Sequence, residues 1–282
     1  MNSSNNPAIH IFLLSWPGFE DATLMIQQSV SMLGYPVSVL YNPRPDSNNL
    51  RDSSWTLFPA ESRFGAKFEF AISTFKPEIY LFIAADTVTR SWPGLIQACV
   101  DAFSQNPSIG VWTPRIENSY WKLAISRIGV EHVAAKLVDV ISTDSIVWGI
   151  SKPIRDELEK LDYTNSKFGW GIDVVSAAVA RTRGLRVVCD TSIEVEHRKA
   201  TTYSVPVADK ESHTFYSQLT EPVDSMRRII EQYAEAQHVL AVSSKPAKIL
   251  RPLKEIVDRV YALARQVFWG RRPADPAQRF GN

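Results

Sequence analysis

Three side chains suited to metal binding or proton transfer stand at the ends of predicted elements. Asp86 follows residues 78–85 (EIYLFIAA), an apolar run that predicts a strand buried on both faces. Asp173 follows the motif FGWG and opens a predicted helix, and His197 follows a predicted strand at 193–196. A carboxylate and a neutral imidazole can hold a divalent cation, and a second carboxylate can remove a proton from a hydroxyl.

Each of these residues also has a purely structural interpretation. Asp86 could cap a turn at residues 87–89, and Asp173 could be the N-cap of a helix at 174–182. His197, which is followed by Arg198 and Lys199, could be a solvated side chain. An N-cap contributes about 1 kcal/mol, whereas a general base contributes about 10²- to 10⁴-fold in rate.

The glycines beside Trp170 favour the chemical interpretation of Asp173. Gly169 and Gly171 allow the backbone to fold tightly, so that the indole between them can lie over a bound ring. A helix start alone needs no such motif.

The predicted elements place these side chains at one edge of a sheet. Residues 8–14 (AIHIFLL) predict a buried strand, 15–18 a turn, 20–33 a helix that ends at Gly34, and 37–41 a second strand. This strand–helix–strand order is typical of a doubly wound α/β sheet that binds nucleotides, and such sheets bind ligands at the carboxyl ends of their strands.

The remaining pattern predicts further elements and two parts of the chain. Residues 43–62 are predicted to be a loop, and 124–150 contain short β-rich segments whose order the pattern does not give. We expect a nucleotide-binding and catalytic domain at 1–205 and a helical C-terminal extension at 206–282. Helices are predicted at 64–75, 92–104, 154–161, 223–242 and 247–268, and strands at 109–113 and 186–189.

Composition sets limits on the class of protein. The 282 residues are 45% hydrophobic and 22% charged, which is typical of a soluble globular chain, and no apolar run approaches a membrane span. The start MNSSNNPAIH does not have the pattern of a secretory signal. Cys99 and Cys189 are too few for a disulfide framework, so we expect free thiols and a cytoplasmic location.

The net charge of +1 hides a basic C-terminus. Residues 245–282 contain nine Lys and Arg against three Asp and Glu. We expect this segment to contact something anionic, either a membrane surface as a peripheral helix or a nucleic acid, with simple core packing as the alternative.

The order of the motifs resembles one enzyme family. A strand ending in Asp86, then GWG-x-D ending in Asp173, then a strand ending in His197 is similar to the GT-A glycosyltransferases. The resemblance is closest to the inverting, bacterial family 2 type and to galactosyltransferases with a GWGxED motif, and it covers roughly residues 8–203.

This resemblance implies a set of residues around a nucleoside-diphosphate sugar donor. The ends of the first two strands and the following helix would contact the donor, which implicates Ser15, Trp16, Glu20, Asn42, Arg63, Gly65, Lys67 and Asp86. Trp148, Trp170 and Gly171 would line the sugar and acceptor pocket.

The resemblance also implies a metal site and a general base. Asp86 and His197 would hold Mn²⁺ or Mg²⁺, although the family's DxD motif corresponds here to Ala84-Ala85-Asp86 and keeps only its last acid. Asp173 would deprotonate the acceptor hydroxyl, and Ile172 replaces the acid that often precedes it. The implied activity is a hexosyl or pentosyl transfer with inversion, to a saccharide, a lipid-linked glycan or a modified nucleic acid.

Two other functions remain open from the sequence. A nucleotidyltransferase would use a related sheet and a metal. Residues 15–18 (SWPG) contain a single glycine, however, and do not match the Gly-rich phosphate loop of such enzymes. A non-catalytic protein that binds nucleotide sugars or glycans is favoured by the reduced DxD motif.

Overall fold

One mixed sheet with helices on both faces forms the protein. The structure is a computed structural model that describes residues 7–43, 52–59, 61–128, 135–198 and 204–243. Its strands are β1 (Ile9–Ser15), β2 (Val37–Tyr41), β3 (Thr56–Leu57), β4 (Ile79–Ala84), β5 (Thr87–Thr89), β6 (Ile109–Glu117), β7 (Leu137–Asp139), β8 (Val147–Ser151) and β9 (Arg186–His197). Its helices are α1 (Glu20–Ser31), α2 (Phe64–Thr74), α3 (Trp92–Gln105), α4 (Leu123–Ser126), α5 (Lys152–Leu158), α6 (Ile172–Thr182), α7 (Val205–Tyr216) and α8 (Val223–Ser243).

The strand directions create one edge where several strands end. The order is β3-β2-β1-β4-β8-β6-β9-β5, and β7 pairs with β9. β1 is parallel to β2 and β4, β6 is parallel to β9, and β8 is antiparallel to both β4 and β6. Therefore β1, β2, β4, β6 and β9 all point the same way and end at one edge, which we call the carboxyl edge.

The two faces of the sheet bury two separate cores. Along β1, Phe12 and Leu14 pack on one side against α2 and α6, whereas Ile11 and Leu13 pack on the other against α1 and α3. Side chains alternate between the faces of a strand, so a strand covered on both sides must be apolar throughout. This explains the continuous apolar runs in β1 and β4.

The two C-terminal helices of the described chain pack on the first of these cores. Phe215 of α7 and Ile230 and Ala234 of α8 are buried in it, and α8 lies against α6. A division of the chain at residues 205 and 206 stays a prediction. The helix predicted at 247–268 lies outside the described residues.

The prediction of two short strands at 186–189 and 193–196 is wrong, because the structure has one long strand there. β9 pairs with β6 from Arg186 to Asp190 and again from Glu194 to Glu196, and the register shifts between Pro114 and Arg115. Asp190 accepts hydrogen bonds from the backbone and the hydroxyl of Ser192 at this irregularity. The polar residues that indicated a break therefore form a bulge within a continuous strand.

Two further expectations change in the structure. Residues 87–89 form β5, a strand antiparallel to the end of β9, instead of a turn. α7 was not predicted from the sequence pattern. In the stretch at 124–150, whose order the pattern did not give, the structure places β7 on β9 and β8 between β4 and β6.

Candidate functional site

Asp86 and His197 form a pair at the carboxyl edge. β5 pairs Thr87 with His197, and this register brings the side chain of Asp86, at the end of β4, beside the imidazole. The distance from Asp86 Oδ2 to His197 Nε2 is 3.1 Å. The backbone N–H of Arg198 donates to the carbonyl oxygen of Asp86 at 3.0 Å, which holds the two strand ends together.

The chemistry of this pair fits a divalent cation. Asp86 is only 6% exposed, and its Oδ1 is buried without a hydrogen-bond partner in the described residues. An unpaired buried carboxylate oxygen is costly unless something cationic can reach it. Across the part of the chain that the structure describes, no group of three His, Cys, Asp or Glu side chains could hold a metal. Asp86 and His197 would therefore supply two ligands at most.

Asp173 lies at the start of α6, which also begins at the carboxyl edge because α6 runs back antiparallel to β9. Its Oδ2 accepts a hydrogen bond from the indole Nε1 of Trp121 at 3.3 Å, and its Oδ1 lies 2.9 Å from the backbone nitrogen of Val174. The N-cap of α6 is Gly171, whose φ is +89°, so Asp173 lies within the first turn. The alternative that Asp173 merely caps the helix is therefore not realised.

The surroundings of Asp173 suit a base that works near neutral pH. Burial raises the pKa of Asp173 to about 7, and the nearby charge of Asp144 adds to this rise. The hydrogen bonds from Val174 and Trp121 act in the opposite direction, because they favour the ionised form. A carboxyl with a pKa near the working pH can both accept and release a proton.

Asp144 connects the two parts of the site and was missed by the sequence analysis. Burial raises the pKa of Asp144, whereas the charge of His197 and a hydrogen bond from Ser119 lower it. Because Asp144 also acts on the pKa of Asp173, it lies in electrostatic range of both predicted groups. The signal for it was weak: one acid in the polar stretch 142–145 before β8.

The residues predicted to contact a donor at the ends of β1 and β2 mostly support the fold here. Ser15 Oγ and Thr23 Oγ1 lie 2.6 Å apart in a fully buried pair, and Asn42 Nδ2 donates to the carbonyl oxygen of Pro59. Glu20 accepts hydrogen bonds from the backbone of Gly18 at 2.8 Å and from the hydroxyl of Tyr41 at 2.5 Å. These side chains fix the shape of the carboxyl edge.

Lys67 is a buried cation beneath this edge. It is 1% exposed, and its ammonium donates to the carbonyl oxygen of Ser15 and lies 5.6 Å from the centre of the Trp16 ring. Burial and, to a smaller extent, the charge of Arg63 together lower the pKa of Lys67 to about 7. Lys67 therefore fixes the end of β1 through the carbonyl oxygen of Ser15. A contact between Lys67 and a sugar donor stays a prediction.

The start of α2 packs closely on the loop that leads to the Gly–Trp–Gly turn. The guanidinium of Arg63 lies 5.1 Å from the centre of the Phe168 ring. A Cβ on Gly65 would lie 1.9 Å from the carbonyl oxygen of Ser166, so no larger residue fits. Arg63 and Gly65, which were predicted to contact the sugar donor, therefore pack against the loop that leads to Asp173.

The turn around Trp170 requires its two glycines. Gly169 has a φ of +74° and Gly171 a φ of +89°, in the left-handed region that glycine adopts without strain. A Cβ on Gly169 would lie 2.2 Å from the ring of Phe64, and one on Gly171 would lie 2.5 Å from the ring of Tyr216. Trp170 is partly exposed between them, which is consistent with a place beside a ligand.

Trp148 does not lie in a pocket. It is completely buried, and its ring lies 5.6 Å from the rings of Phe68 and Phe82, centre to centre. The indole therefore belongs to the core beneath the sheet and offers no surface to a ligand. Trp121, which the sequence analysis did not assign to the site, is the indole that contacts Asp173.

Comparisons with known proteins give a likeness of fold. No protein-family model matches the sequence, and no curated protein sequence matches it. The structure of GalNAc-T7 with UDP, GalNAc and Mn²⁺ has a TM-score of 0.55 at 11% identity and covers 86% of this chain. The chain spans 58% of the length of that protein.

Two further solved structures are less similar. The mannosyltransferase PcManGT from Pyrobaculum calidifontis, in complex with GDP-Man and Mn²⁺, has a TM-score of 0.49 at 12% identity, with 90% of this chain and 81% of that chain covered. S. aureus TarS 1-349 has a TM-score of 0.49 at 11% identity, with 84% and 74% covered.

The likeness to GalNAc-T7 agrees with the sheet described above. The fold class predicted from the sequence, an α/β protein with a doubly wound mixed sheet of the GT-A type and C-terminal helices, is therefore confirmed.

Proposed function

We propose that this chain is a glycosyltransferase that moves a hexosyl or pentosyl group from a nucleoside-diphosphate sugar to an acceptor hydroxyl, with inversion at the anomeric carbon. One observation supports this most. Asp144 lies in electrostatic range of both His197 and Asp173, so the candidate metal ligands and the candidate base surround one site at the carboxyl edge. The finer resemblance to family 2 and a cytoplasmic location stay predictions.

Asp86 and His197 would hold the divalent cation in this proposal, with the unpaired Oδ1 of Asp86 facing it. A cation bound there supplies positive charge to the diphosphate that leaves the sugar. Since the described residues offer two ligands, the diphosphate and water would provide the others in this proposal. We therefore expect Mn²⁺ to bind weakly alone and more tightly together with a nucleoside diphosphate.

Asp173 would act on the acceptor. Its ionised carboxylate takes the proton of the acceptor hydroxyl while that oxygen bonds to the anomeric carbon and the bond from this carbon to the diphosphate oxygen breaks. Trp121 donates to Oδ2 and the backbone N–H of Val174 donates to Oδ1, so both bonds hold the carboxylate in place while one of its remaining lone pairs receives the proton. Trp170 and Gly171 would border the sugar, because their turn leads directly into α6.

A donor screen tests the proposal directly. UDP-glucose, UDP-galactose, UDP-N-acetylglucosamine, UDP-N-acetylgalactosamine and GDP-mannose are each added with Mn²⁺, and thermal stabilisation and nucleotide release are measured. A ligand that binds only the folded protein raises the melting temperature, and the rise grows with the logarithm of the ligand concentration above its Kd. Release of a nucleoside diphosphate supports the proposal, and release of pyrophosphate from nucleoside triphosphate and sugar phosphate supports a nucleotidyltransferase. Binding without turnover with any offered saccharide, lipid-linked or nucleic-acid acceptor supports a binding protein.

Asp173→Asn tests the role of the base. The variant should lose about 10²- to 10⁴-fold in turnover, while its stabilisation by the donor stays close to that of the wild type. Asp101→Asn is the matched control, since Asp101 lies on α3 and accepts a hydrogen bond from the side chain of Gln97, one turn earlier on the same helix. Retained turnover in Asp173→Asn would remove Asp173 from this role.

The acceptor and the C-terminal segment remain proposals from the sequence. None of the described helices is long and apolar enough to cross a membrane. The basic residues of 245–282, which lie outside the described part of the chain, would bring the enzyme to an anionic surface. Salt-sensitive binding to DNA but not to anionic vesicles would favour a nucleic-acid acceptor, and the reverse would favour a lipid-linked one.

A further inference from the structure

One short segment contacts both parts of the candidate site. The chain leaves β6 at Asn118, whose φ of +66° is the one positive φ of a non-glycine residue in the described chain. The side-chain amide of Asn118 lies 3.4 Å from the carbonyl oxygen of His197. Three residues later, the indole of Trp121 donates to Asp173. The segment 118–121 therefore sets the distance between the histidine and the base.

Asp144, which lies just before β8, contacts this segment. Its Oδ2 accepts a hydrogen bond from the backbone N–H of Tyr120 at 3.0 Å. The hydroxyl of Ser119 and the backbone N–H of Trp121 are also close enough to lower the pKa of this carboxyl. One carboxylate thus faces polar hydrogens from three consecutive residues and forms its hydrogen bond with the middle one.

Burial and ring contacts hold the side chains of this segment. Trp121 is 9% exposed and belongs to the core, and Ser119 is 6% exposed. The ring of Tyr120, although 58% exposed, lies 5.3 Å from the Trp121 ring and 4.8 Å from the His238 ring, centre to centre. The hydrogen bond from Tyr120 to Asp144 adds a restraint on the backbone between the end of β6 and α4.

We propose that Asp144 is a positioning residue: by fixing residues 119–121 it makes Trp121 hold the carboxylate of Asp173 at its working distance from the Asp86–His197 pair. The effect on turnover rests on the proposed function. The placement of Trp121 does not, and it can be measured without any substrate.

The first experiment observes the hydrogen bond itself in the ligand-free protein. The indole N–H signal of Trp121 in a nitrogen-15 correlation spectrum is assigned by its loss in Trp121→Phe. In Asp144→Asn, the negative charge that attracts the N–H of Tyr120 is lost and one acceptor oxygen becomes a donor, so the hold on residues 119–121 weakens. We expect the Trp121 signal to shift in the same direction as in Asp173→Asn and to exchange with solvent about fivefold faster or more.

Controls separate positioning from general damage. Asp101→Asn should leave the Trp121 signal unchanged. If Asp144→Asn does not fold, Ser119→Ala removes a hydroxyl that interacts with Asp144 and should move the signal the same way by a smaller amount. An unmoved Trp121 signal in a folded Asp144→Asn, or in Ser119→Ala when the first variant is unfolded, overturns the proposal.

The second experiment uses turnover of whichever donor the wild type accepts, with Mn²⁺ present. Asp144→Asn and Trp121→Phe should each lower kcat about tenfold with little change in the KM for the donor. Because both act through the same contact, the double variant should be scarcely slower than either single variant. Additive losses, or a loss confined to KM, would contradict the proposal. A wild type that turns over no donor refutes the proposed function alone, since the indole signal still decides the positioning.

Discussion

Asp173 is the residue whose environment most affects the proposed chemistry. Burial and the neighbouring Asp144 raise its pKa to about 7, while Trp121 and the backbone of Val174 keep it from rising further. An isolated exposed aspartate would stay ionised at neutral pH but would be a poor base. The enclosing protein therefore gives this carboxyl a basicity that suits proton transfer from a hydroxyl.

The pH dependence of turnover follows from this shift. Asp173 must be ionised to accept a proton, so kcat/KM should rise as pH increases and level off above about 7, the pKa of its carboxyl. Initial rates measured from about pH 5 to about pH 9 with one donor and Mn²⁺ check this. A flat profile over that range would exclude Asp173 as the group that limits the rate. The residual activity of Asp173→Asn should lack this inflection.

The same shift makes a prediction about stability. The folded protein keeps a proton on Asp173 up to about pH 7, whereas the unfolded chain loses it near the ordinary value of 3.8. The free energy of unfolding should therefore fall as pH rises between these values. Asp173→Asn carries no such penalty, so it should exceed the wild type by on the order of 2 kcal/mol near pH 8 and by much less near pH 4.

Urea unfolding of both proteins at the two pH values measures this difference. Asp101→Asn, the same chemical substitution on α3, serves as the control. An advantage of Asp173→Asn that is equal at both pH values would show that the carboxyl is not perturbed by folding.

At the scale of single elements, the turn into α6 decides where Asp173 points. Gly171 stands at the N-cap with a φ of +89°, and the ring of Tyr216 from α7 packs against it. In turn, the guanidinium of Arg227 from α8 lies 4.7 Å from the centre of the Tyr216 ring. The start of α6 is therefore held by contacts with residues of α7 and α8.

Gly171→Ala should be much more damaging than Gly184→Ala. Both glycines have positive φ, but a Cβ on Gly171 would lie 2.5 Å from Tyr216, while nothing lies within 4 Å of a Cβ on Gly184. Gly184→Ala should lose about 1 kcal/mol from backbone strain alone, and Gly171→Ala should lose about 2 kcal/mol more from the clash. Thermal and urea unfolding compare them, and equal losses would contradict the close contact with Tyr216.

At the scale of the whole molecule, α8 completes the core on the face that carries α6. Ile230 is fully buried there, while its neighbour Ile229 is 53% exposed. The hydroxyl of Tyr233 also donates to the carbonyl oxygen of Arg127 at 2.8 Å, close to the segment that leads from Trp121. The C-terminal helices therefore support the site as well as the sheet.

Ile230→Ala should destabilise the protein by about 2 to 4 kcal/mol through the cavity it leaves. Ile229→Ala, one residue earlier on the same helix, should change stability by about 0.5 kcal/mol or less. Urea unfolding of the two variants measures this contrast. Similar losses would mean that α8 packs by a different face.

Local patterns in the sequence were sufficient for most of the fold. The buried strands β1, β2 and β4 follow from continuous apolar runs, and α1, α2, α3, α6 and α8 follow from helical periodicity and Gly or Pro boundaries. Both signals depend on residues near one another in the chain. β5 was missed and β9 was divided into two strands, because a short edge strand and a bulge are set by distant pairing partners.

The sequence by itself determined the identity of the chemical groups: Asp86, Asp173, His197 and the two glycines beside Trp170, each placed at the end of an element by local pattern. Only the tertiary structure decided which of them meet. The pairing of β5 with β9 joins Asp86 to His197, the placement of β8 brings in Asp144, and the turn after β6 brings Trp121 to Asp173. Trp148 was assigned to the site but lies in the core. The sequence could not show this, because burial depends on packing between residues far apart in the chain.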